Sequence, residues 1–371
     1  MHMSELDYAL PAEAIALRPA APRDASRLLV VQGGTVAHRH FRDIGDYLRA
    51  GDLLVVNDTR VLPAKLALRR TSGAAIAGLF LAELERGLWE VMLRTRGKAK
   101  EGQTLEAPGY AFELAQRLGE GIWRVRVTPA EAAAAVLEAI GHVPLPPYIA
   151  RQRKHTGAAE ETPEDRQWYQ TVFARAGQTG RSVAAPTAGL HFTPELLERL
   201  RRQGVHRAAV ELEVGLGTFL PVETETLEEH PMHTERYCVP AAAIVALRAA
   251  RREGRRIVVV GTTAVRTLEA AADRILDNST PPPGGDIRGQ TNLLIAPGYR
   301  FRLTDALVTN FHLPRSTLMA LVAAFLGAGG VEQLKSLYAQ AIDEGYRFYS
   351  YGDAMLIVPD SGNARSRHST R

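Results

Sequence analysis

From Val61 to about Gly141 the chain changes character, and this block constrains the fold more than any other feature. Leu66–Leu68, Ile76–Leu84, Leu88–Leu93, Thr104–Glu106 and Ile122–Val127 are strand-like runs of roughly 4–8 residues, separated by Gly-bearing turns. Regular short strands of that kind predict a small all-β barrel or sandwich. The segments on either side read as α/β. The simplest architecture is therefore a mixed α/β chain: one large α/β layered domain (residues 1–62 and 142–358) with a small β-barrel domain (residues 63–141) inserted in it. At about 150 residues per domain, a 371-residue chain accommodates that arrangement.

Upstream of the block, Leu28–Val31 and Leu53–Val56 read as buried strands and Asp43–Leu48 as a short helical piece. Ala130–Ile140 returns to helix after a Thr128-Pro129 start. Val143–Tyr148, with three prolines, reads as a stiff extended connector, and Lys154–Asp165 as a polar, mobile surface loop. Helices are expected at Glu195–Gln203, Pro240–Glu253, Thr263–Leu276, Thr317–Leu326 and Val331–Glu344. Strands are expected at Val205–Val214, Arg256–Val260, Asn292–Ile295 and Ala306–Thr309. This alternation predicts a largely parallel sheet. Asn278–Asp286 reads as a loop excursion and residues 359–371 as a disordered tail.

Composition narrows the class further. Cys238 is the only cysteine, so no disulfide framework exists and a reducing, cytoplasmic setting is expected. No apolar run approaches the 18 residues that a membrane helix needs, and the first residues show no signal-peptide pattern. The net charge of +4 permits a polyanionic partner without demanding one.

Polar and small residues collect at the ends of the expected strands, where ligands bind in open α/β sheets. Asn57-Asp58-Thr59-Arg60 follows Leu53–Val56, and its Asp and Arg suit a hydroxylated, anionic ligand; a turn with an internal Asp–Arg pair fits equally. Ala184–Thr193 places small residues beside His191, which titrates near neutral pH, although a helix start capped by Thr193 would also explain it. Gly215 and Gly217, followed by Thr218, form a glycine pair that resembles half of a dinucleotide fingerprint, but the third glycine is missing and no helix obviously follows. His230, His233 and Glu235 have donor types that a metal takes, but Pro231 argues against a helix presenting both imidazoles, and no metal is expected. Gly261-Thr262-Thr263 and the segment from Asn310 through His312 to Ser316 bring hydroxyls and free N–H groups to helix starts, places for an anion or for ordinary caps.

Taken together, several strings resemble one family, the S-adenosylmethionine:tRNA ribosyltransferase-isomerases of queuosine biosynthesis. They are RDASRLLV (Arg23–Val30), GDLLVVNDTRVL (Gly51–Leu62), VPLPPYI (Val143–Ile149), YQTVF (Tyr169–Phe173), SVAAPTAGLHFT (Ser182–Thr193), VGLGTF (Val214–Phe219), GTTAVRTLE (Gly261–Glu269), APGYRF (Ala296–Phe301), TNFHLPRSTL (Thr309–Leu318) and YGDAMLI (Tyr351–Ile357). They stand in the family's order and cover nearly the whole chain.

The resemblance implies a large α/β domain with an inserted β-barrel. It also implies a transferase that uses S-adenosylmethionine as ribosyl donor. The acceptor would be preQ1 already installed in the tRNA anticodon loop, with epoxyqueuosine-tRNA, adenine and methionine as products. Asp58, His191, His233, Glu235 and His312 become candidate acid–base groups. Thr59, Arg60, Thr187, Gly215, Gly217, Thr218, Thr262, Thr263, Arg266, Asn310 and Ser316 become candidates to hold the donor. Arg69, Arg70, Arg94, Arg96, Lys98 and Lys100, with Arg151, Arg153 and Lys154, become the phosphate footprint of a tRNA. A monomer is expected, with no membrane partner. The family's pattern has His where Glu213 stands, a basic residue at Leu220 and Gly at Arg181. Those departures motivate an alternative, a divergent paralogue that binds S-adenosylmethionine or RNA without this activity.

Overall fold

The structure is a computed structural model that describes residues 1–95, 99–174, 182–215, 224–277 and 285–359. Strands β1 (Arg27–Gln32), β2 (Thr35–His40) and β3 (Leu53–Asn57) come first. Every side chain of β3 is buried, as its unbroken apolar run requires of a strand covered on both faces. A 3-10 turn at Phe41–Tyr47 takes the place of the expected helical piece between β2 and β3.

The next strands are β4 (Lys65–Arg70), β5 (Ala75–Glu85), β6 (Leu88–Arg94), β7 (Thr104–Ala107), β8 (Tyr110–Gly119), β9 (Ile122–Thr128) and the short β10 (Gly141–His142). They pair in the order β10-β4-β5-β6-β9-β8-β7, and an additional β4–β7 pairing closes six of them into a barrel. Alternation fills the inside: Trp123, Val125 and Val127 of β9 are buried while Arg126 points out. Trp89 anchors the interior, edge-on to Phe80 at 5.0 Å and to Phe112 at 5.7 Å. The inserted β-barrel expected from sequence is therefore present. Strand β8 was not expected, because its Ala, Glu, Gln and Arg have little strand preference and only pairing with β7 and β9 makes them extended.

The remaining strands are β11 (His206–Leu212), β12 (Glu235–Val239), β13 (Ile257–Val260), β14 (Ile287–Thr291), β15 (Ala306–Asn310) and β16 (Ala354–Val358). With β1–β3 they form a nine-stranded sheet in the order β14-β12-β11-β3-β13-β15-β16-β1-β2. Its centre, β11-β3-β13-β15, is parallel. The expectation of a largely parallel sheet is corrected here: β12, β14, β16 and β2 add antiparallel pairings, so the sheet is mixed. Helices Ala241–Arg252, Thr262–Ala270 and Thr317–Leu326 pack their apolar faces on this sheet in one continuous core. Among the described residues no single helix is long and apolar enough to cross a membrane.

Other expectations need correction. Val143–Tyr148 is not an extended connector throughout, because Pro147 opens a helix, Pro147–His155, in the first-turn position where its missing N–H costs nothing. The expected strand Asn292–Ile295 lies one segment too late: β14 ends where Thr291 Oγ1 accepts the Leu293 N–H, a local turn that competes with the ladder. The expected helix Thr263–Leu276 breaks near Ala271 into Thr262–Ala270 and Ala272–Leu276. Finally, the segment Lys154–Asp165 is tied down at its root. Arg153 and Asp165 form a buried two-pronged ion pair at 2.6 and 2.7 Å, and Arg153 also donates to the Leu17 carbonyl at 2.8 Å. Residues 278–284 and 360–371, parts of the expected loop and tail, lie outside the described residues.

Candidate active site

The parallel arrangement of β11, β3, β13 and β15 sets all four carboxyl ends on one edge of the sheet. At that edge β3 delivers Asn57 and then Asp58-Thr59, all nearly solvent-free. The Asn57 amide crosses between strands: Oδ1 accepts the Leu212 N–H at 3.3 Å and Nδ2 donates to Thr263 Oγ1 at 3.2 Å. The same Oδ1 also accepts the Thr59 N–H at 3.0 Å, which turns the chain immediately after the strand. Asp58 is held by its backbone N–H on the Val210 carbonyl at 3.0 Å. Thr59 is 1% exposed, and its hydroxyl has no hydrogen-bond partner among the described residues.

Gly261 turns the chain from β13 into the helix Thr262–Ala270 with φ of 87°, a conformation that a side chain would strain. A Cβ there would sit 3.6 Å from Ala188, so this turn lies directly against the 3-10 turn Thr187–His191. Two of the sequence clusters thus meet. Asn310, at the end of β15, joins them: Thr187 Oγ1 donates to its Oδ1 at 2.9 Å, and its Nδ2 donates to His191 Nε2 at 3.1 Å.

His191 is 4% exposed and stacked on Phe41 with ring centroids 5.0 Å apart. Its other nitrogen, Nδ1, lies 2.8 Å from Ser26 Oγ. Because Nε2 accepts from Asn310, the proton sits on Nδ1 and the ring is neutral. Burial, then the charges of Arg347 and Arg23, push its pKa down to about 3. His312 is half-buried, its Nε2 2.8 Å from Thr309 Oγ1, and burial pushes its pKa down to about 4. Both histidines are uncharged near neutral pH.

Glu235 and Arg266 meet farther along the edge. Glu235 opens β12, ion-pairs with Arg266 and accepts the Gly215 N–H at 3.4 Å. Arg266 also donates Nε to the Leu293 carbonyl at 3.1 Å, and its Nη2 is buried without a hydrogen-bond partner among the described residues. The proposed trio of His230, His233 and Glu235 is not brought together: Glu235 is buried on Arg266 while His233 is exposed. No group of three potential metal ligands forms among the described residues. Ser316 caps the helix Thr317–Leu326 by accepting the Met319 N–H at 3.4 Å. Thr262 is buried and Arg60 half-buried beside this edge, whereas Gly217, Thr218, Arg181 and Leu220 lie outside the described residues. Glu213 extends the β11–β12 pairing with its N–H on the Arg236 carbonyl at 2.9 Å.

A family model described as queuosine biosynthesis protein matches residues 3–357. The chain belongs to the queuosine biosynthesis protein family. It is 47% identical to the S-adenosylmethionine:tRNA ribosyltransferase-isomerase of Moorella thermoacetica over 375 residues, covering 96% of this chain and 100% of that protein. The protein of the same name from Thermotoga maritima is 47% identical over 360 residues, with 96% and 100% covered. A crystal structure of S-adenosylmethionine tRNA ribosyltransferase from Thermotoga maritima covers 96% of this chain and 100% of its own, at 38% identity and a TM-score of 0.52.

For a member of the queuosine biosynthesis family, one polar residue at this edge went unnoticed in the sequence, Ser26, and Asn57, noted in its cluster, was given no role of its own. Both lie within matched strings, RDASRLLV and GDLLVVNDTRVL, but neither titrates, and only the fold shows them bridging elements. The basic footprint also changes. Arg69, Arg94, Lys100, Arg151 and Lys154 are exposed, Arg70 is half-buried, and Arg96 and Lys98 lie outside the described residues. Arg153 leaves the footprint, because it is 3% exposed and committed to Asp165.

Proposed function

We propose that this chain transfers and isomerises the ribosyl moiety of S-adenosylmethionine onto preQ1 in the anticodon loop of a tRNA, releasing adenine and methionine and leaving epoxyqueuosine. One observation carries the reading. Asn57, Asn310 and Gly261 gather four of the matched strings at the carboxyl edge of the parallel strands, the two asparagines by side-chain hydrogen bonds and Gly261 by its close approach to Ala188.

The chemistry divides into needs that this cluster fits. The sulfonium of the donor acidifies its C5′ protons, and an unprotonated base is required to take one. His312, uncharged near neutral pH, has the right protonation state, and Asp58 is the second candidate. His191, with both nitrogens already bonded inside the protein, holds Asn310 and Ser26 in place rather than shuttling protons. The spare Nη2 of Arg266 suits the donor's methionine carboxylate, and the Thr59 hydroxyl suits a ribose hydroxyl. Burial at the strand ends keeps water from an amine nucleophile. In this reading residues 63–141 form the inserted domain, residues 1–62 and 142–358 the catalytic one, and a monomer works in the cytoplasm.

The test uses preQ1-containing tRNA, S-adenosylmethionine and purified protein, following adenine and methionine release and the mass of the modified nucleoside. Release of both with an epoxycyclopentanediol mass shift supports the proposal. Bound donor without release would favour the paralogue alternative raised by Glu213, Arg181 and Leu220.

A further inference from the structure

An acidic segment of the chain sits on a basic edge of the barrel. Glu161 forms an ion pair with Lys65 of β4, and its other oxygen lies 3.3 Å from Nδ1 of His142 on β10. Glu160 next to it pairs with Lys154 at 3.8 Å. Strands β4 and β10 are paired directly, His142 opposite Lys65, so one carboxylate bridges two neighbouring strands from outside. The segment is rooted by the buried Arg153–Asp165 pair, which leaves Glu160 and Glu161 presented on a fixed base.

The surface under these carboxylates continues outward. In the outward-facing rows of β4 to β6, Arg69 stands opposite Ala75, and Arg94 opposite Ala77, both on the face that Lys65 shares. Burial holds the Lys65 ammonium below its ordinary value, Glu160 works against that, and Arg94 adds a smaller push downward. A half-buried ammonium of this kind gains from an anion placed beside it.

We propose that Lys65, His142, Arg69 and Arg94 form a surface for RNA phosphodiesters, and that Glu160 and Glu161 occupy its phosphate positions until RNA displaces them. The proposal rests on the tRNA-modifying reading and adds how access to the RNA surface is controlled. A carboxylate held by a lysine and an imidazole is a geometric stand-in for a backbone phosphate, since both ask for N–H donors and positive charge. Because the segment is tethered in cis, it competes at high effective concentration and is displaced only by a polyanion that engages several cations at once.

The experiment measures binding of an unmodified tRNA transcript to the full-length protein by fluorescence anisotropy across a salt series. The double variant Glu160→Gln with Glu161→Gln is expected to bind about tenfold tighter at moderate salt, with a log–log salt slope steeper by about 2. Adding Lys65→Gln to it should return the affinity toward that of the parent. Two controls guard the reading: thermal melting, to show that the amide variants fold, and Glu229→Gln with Glu332→Gln, which removes the same charge from other exposed positions. An unchanged or weaker affinity in the first variant overturns the proposal, as does an equal gain in the control pair. Turnover of preQ1-tRNA by the parent protein is read separately. Its absence would strike the catalytic reading, whereas the affinity comparison judges this surface alone.

Discussion

Asn310 donates its side-chain amide to Nε2 of His191 across 3.1 Å, and this bond decides what the imidazole can do. With Nε2 accepting, the ring keeps its proton on Nδ1, directed at Ser26 Oγ. Strand β15 thereby sets the tautomer of a residue on the 3-10 turn Thr187–His191.

Replacing Asn310 tests that relationship. Asn310→Leu leaves the buried His191 Nε2 without its donor and frees the half-buried Thr187 hydroxyl, at a cost of about 1–3 kcal/mol in urea unfolding. Asn310→Asp should instead raise the His191 pKa, because a carboxylate favours the imidazolium; a ring 15N shift that titrates as in the parent would contradict the assignment.

Stability should fall in acid below the ordinary histidine range. His191 and His312 have folded values near 3 and 4 against an unfolded 6.5, so the unfolded chain takes up protons that the folded chain refuses. Their stabilising contribution is complete above 6.5 and is lost as pH drops from there toward about 4 for His312 and about 3 for His191. Each histidine contributes a slope of about 1 kcal/mol per pH unit in that window. His191→Asn with His312→Asn should flatten it, measured by urea titration at pH 7 and pH 5.

The Arg153–Asp165 pair is structural. Arg153→Met leaves a buried carboxylate uncompensated and should cost about 3–5 kcal/mol by chemical unfolding. At temperatures where the variant stays folded, its tRNA affinity should not fall below that of the parent, since the pair also roots Glu160 and Glu161. A selective loss of RNA binding would return Arg153 to the phosphate footprint.

Exposed arginines on the barrel should behave differently. Arg69→Gln and Arg94→Gln should each weaken tRNA binding and lower the salt slope by about 1, with melting temperature unchanged. An affinity that does not vary with salt would remove the barrel face from the RNA surface.

Glu235 and Arg266 are expected to act on the donor. Arg266→Lys should raise the KM for S-adenosylmethionine several-fold and leave the KM for tRNA alone. If Glu235 only positions Arg266 and Gly215, then Glu235→Gln raises the same KM without moving the pH profile of kcat. A displaced profile would make Glu235 the proton-transfer group.

Much of this was legible in the chain because it depends on local pattern. Leu53–Val56, Arg256–Val260 and Ala306–Thr309 are apolar runs that only a strand covered on both faces can bury, and polar residues follow each. The short runs between Leu66 and Val127 likewise pointed to a small all-β unit, barrel or sandwich, and the β4–β7 pairing closes it as a barrel. What sequence left open depends on partners distant in the chain. Nothing near Glu235 predicts an ion pair with Arg266, nothing near Arg153 predicts burial on Asp165, and nothing in Glu160-Glu161 points to Lys65. Strands β8, β12 and β14 carry charged or polar residues with weak strand preference, and they are extended because neighbours satisfy their backbone groups. Local periodicity thus determined which segments are buried, whereas the burial of particular charges, and so the protonation of His191 and His312, was decided by contacts that exist only once the sheet is assembled.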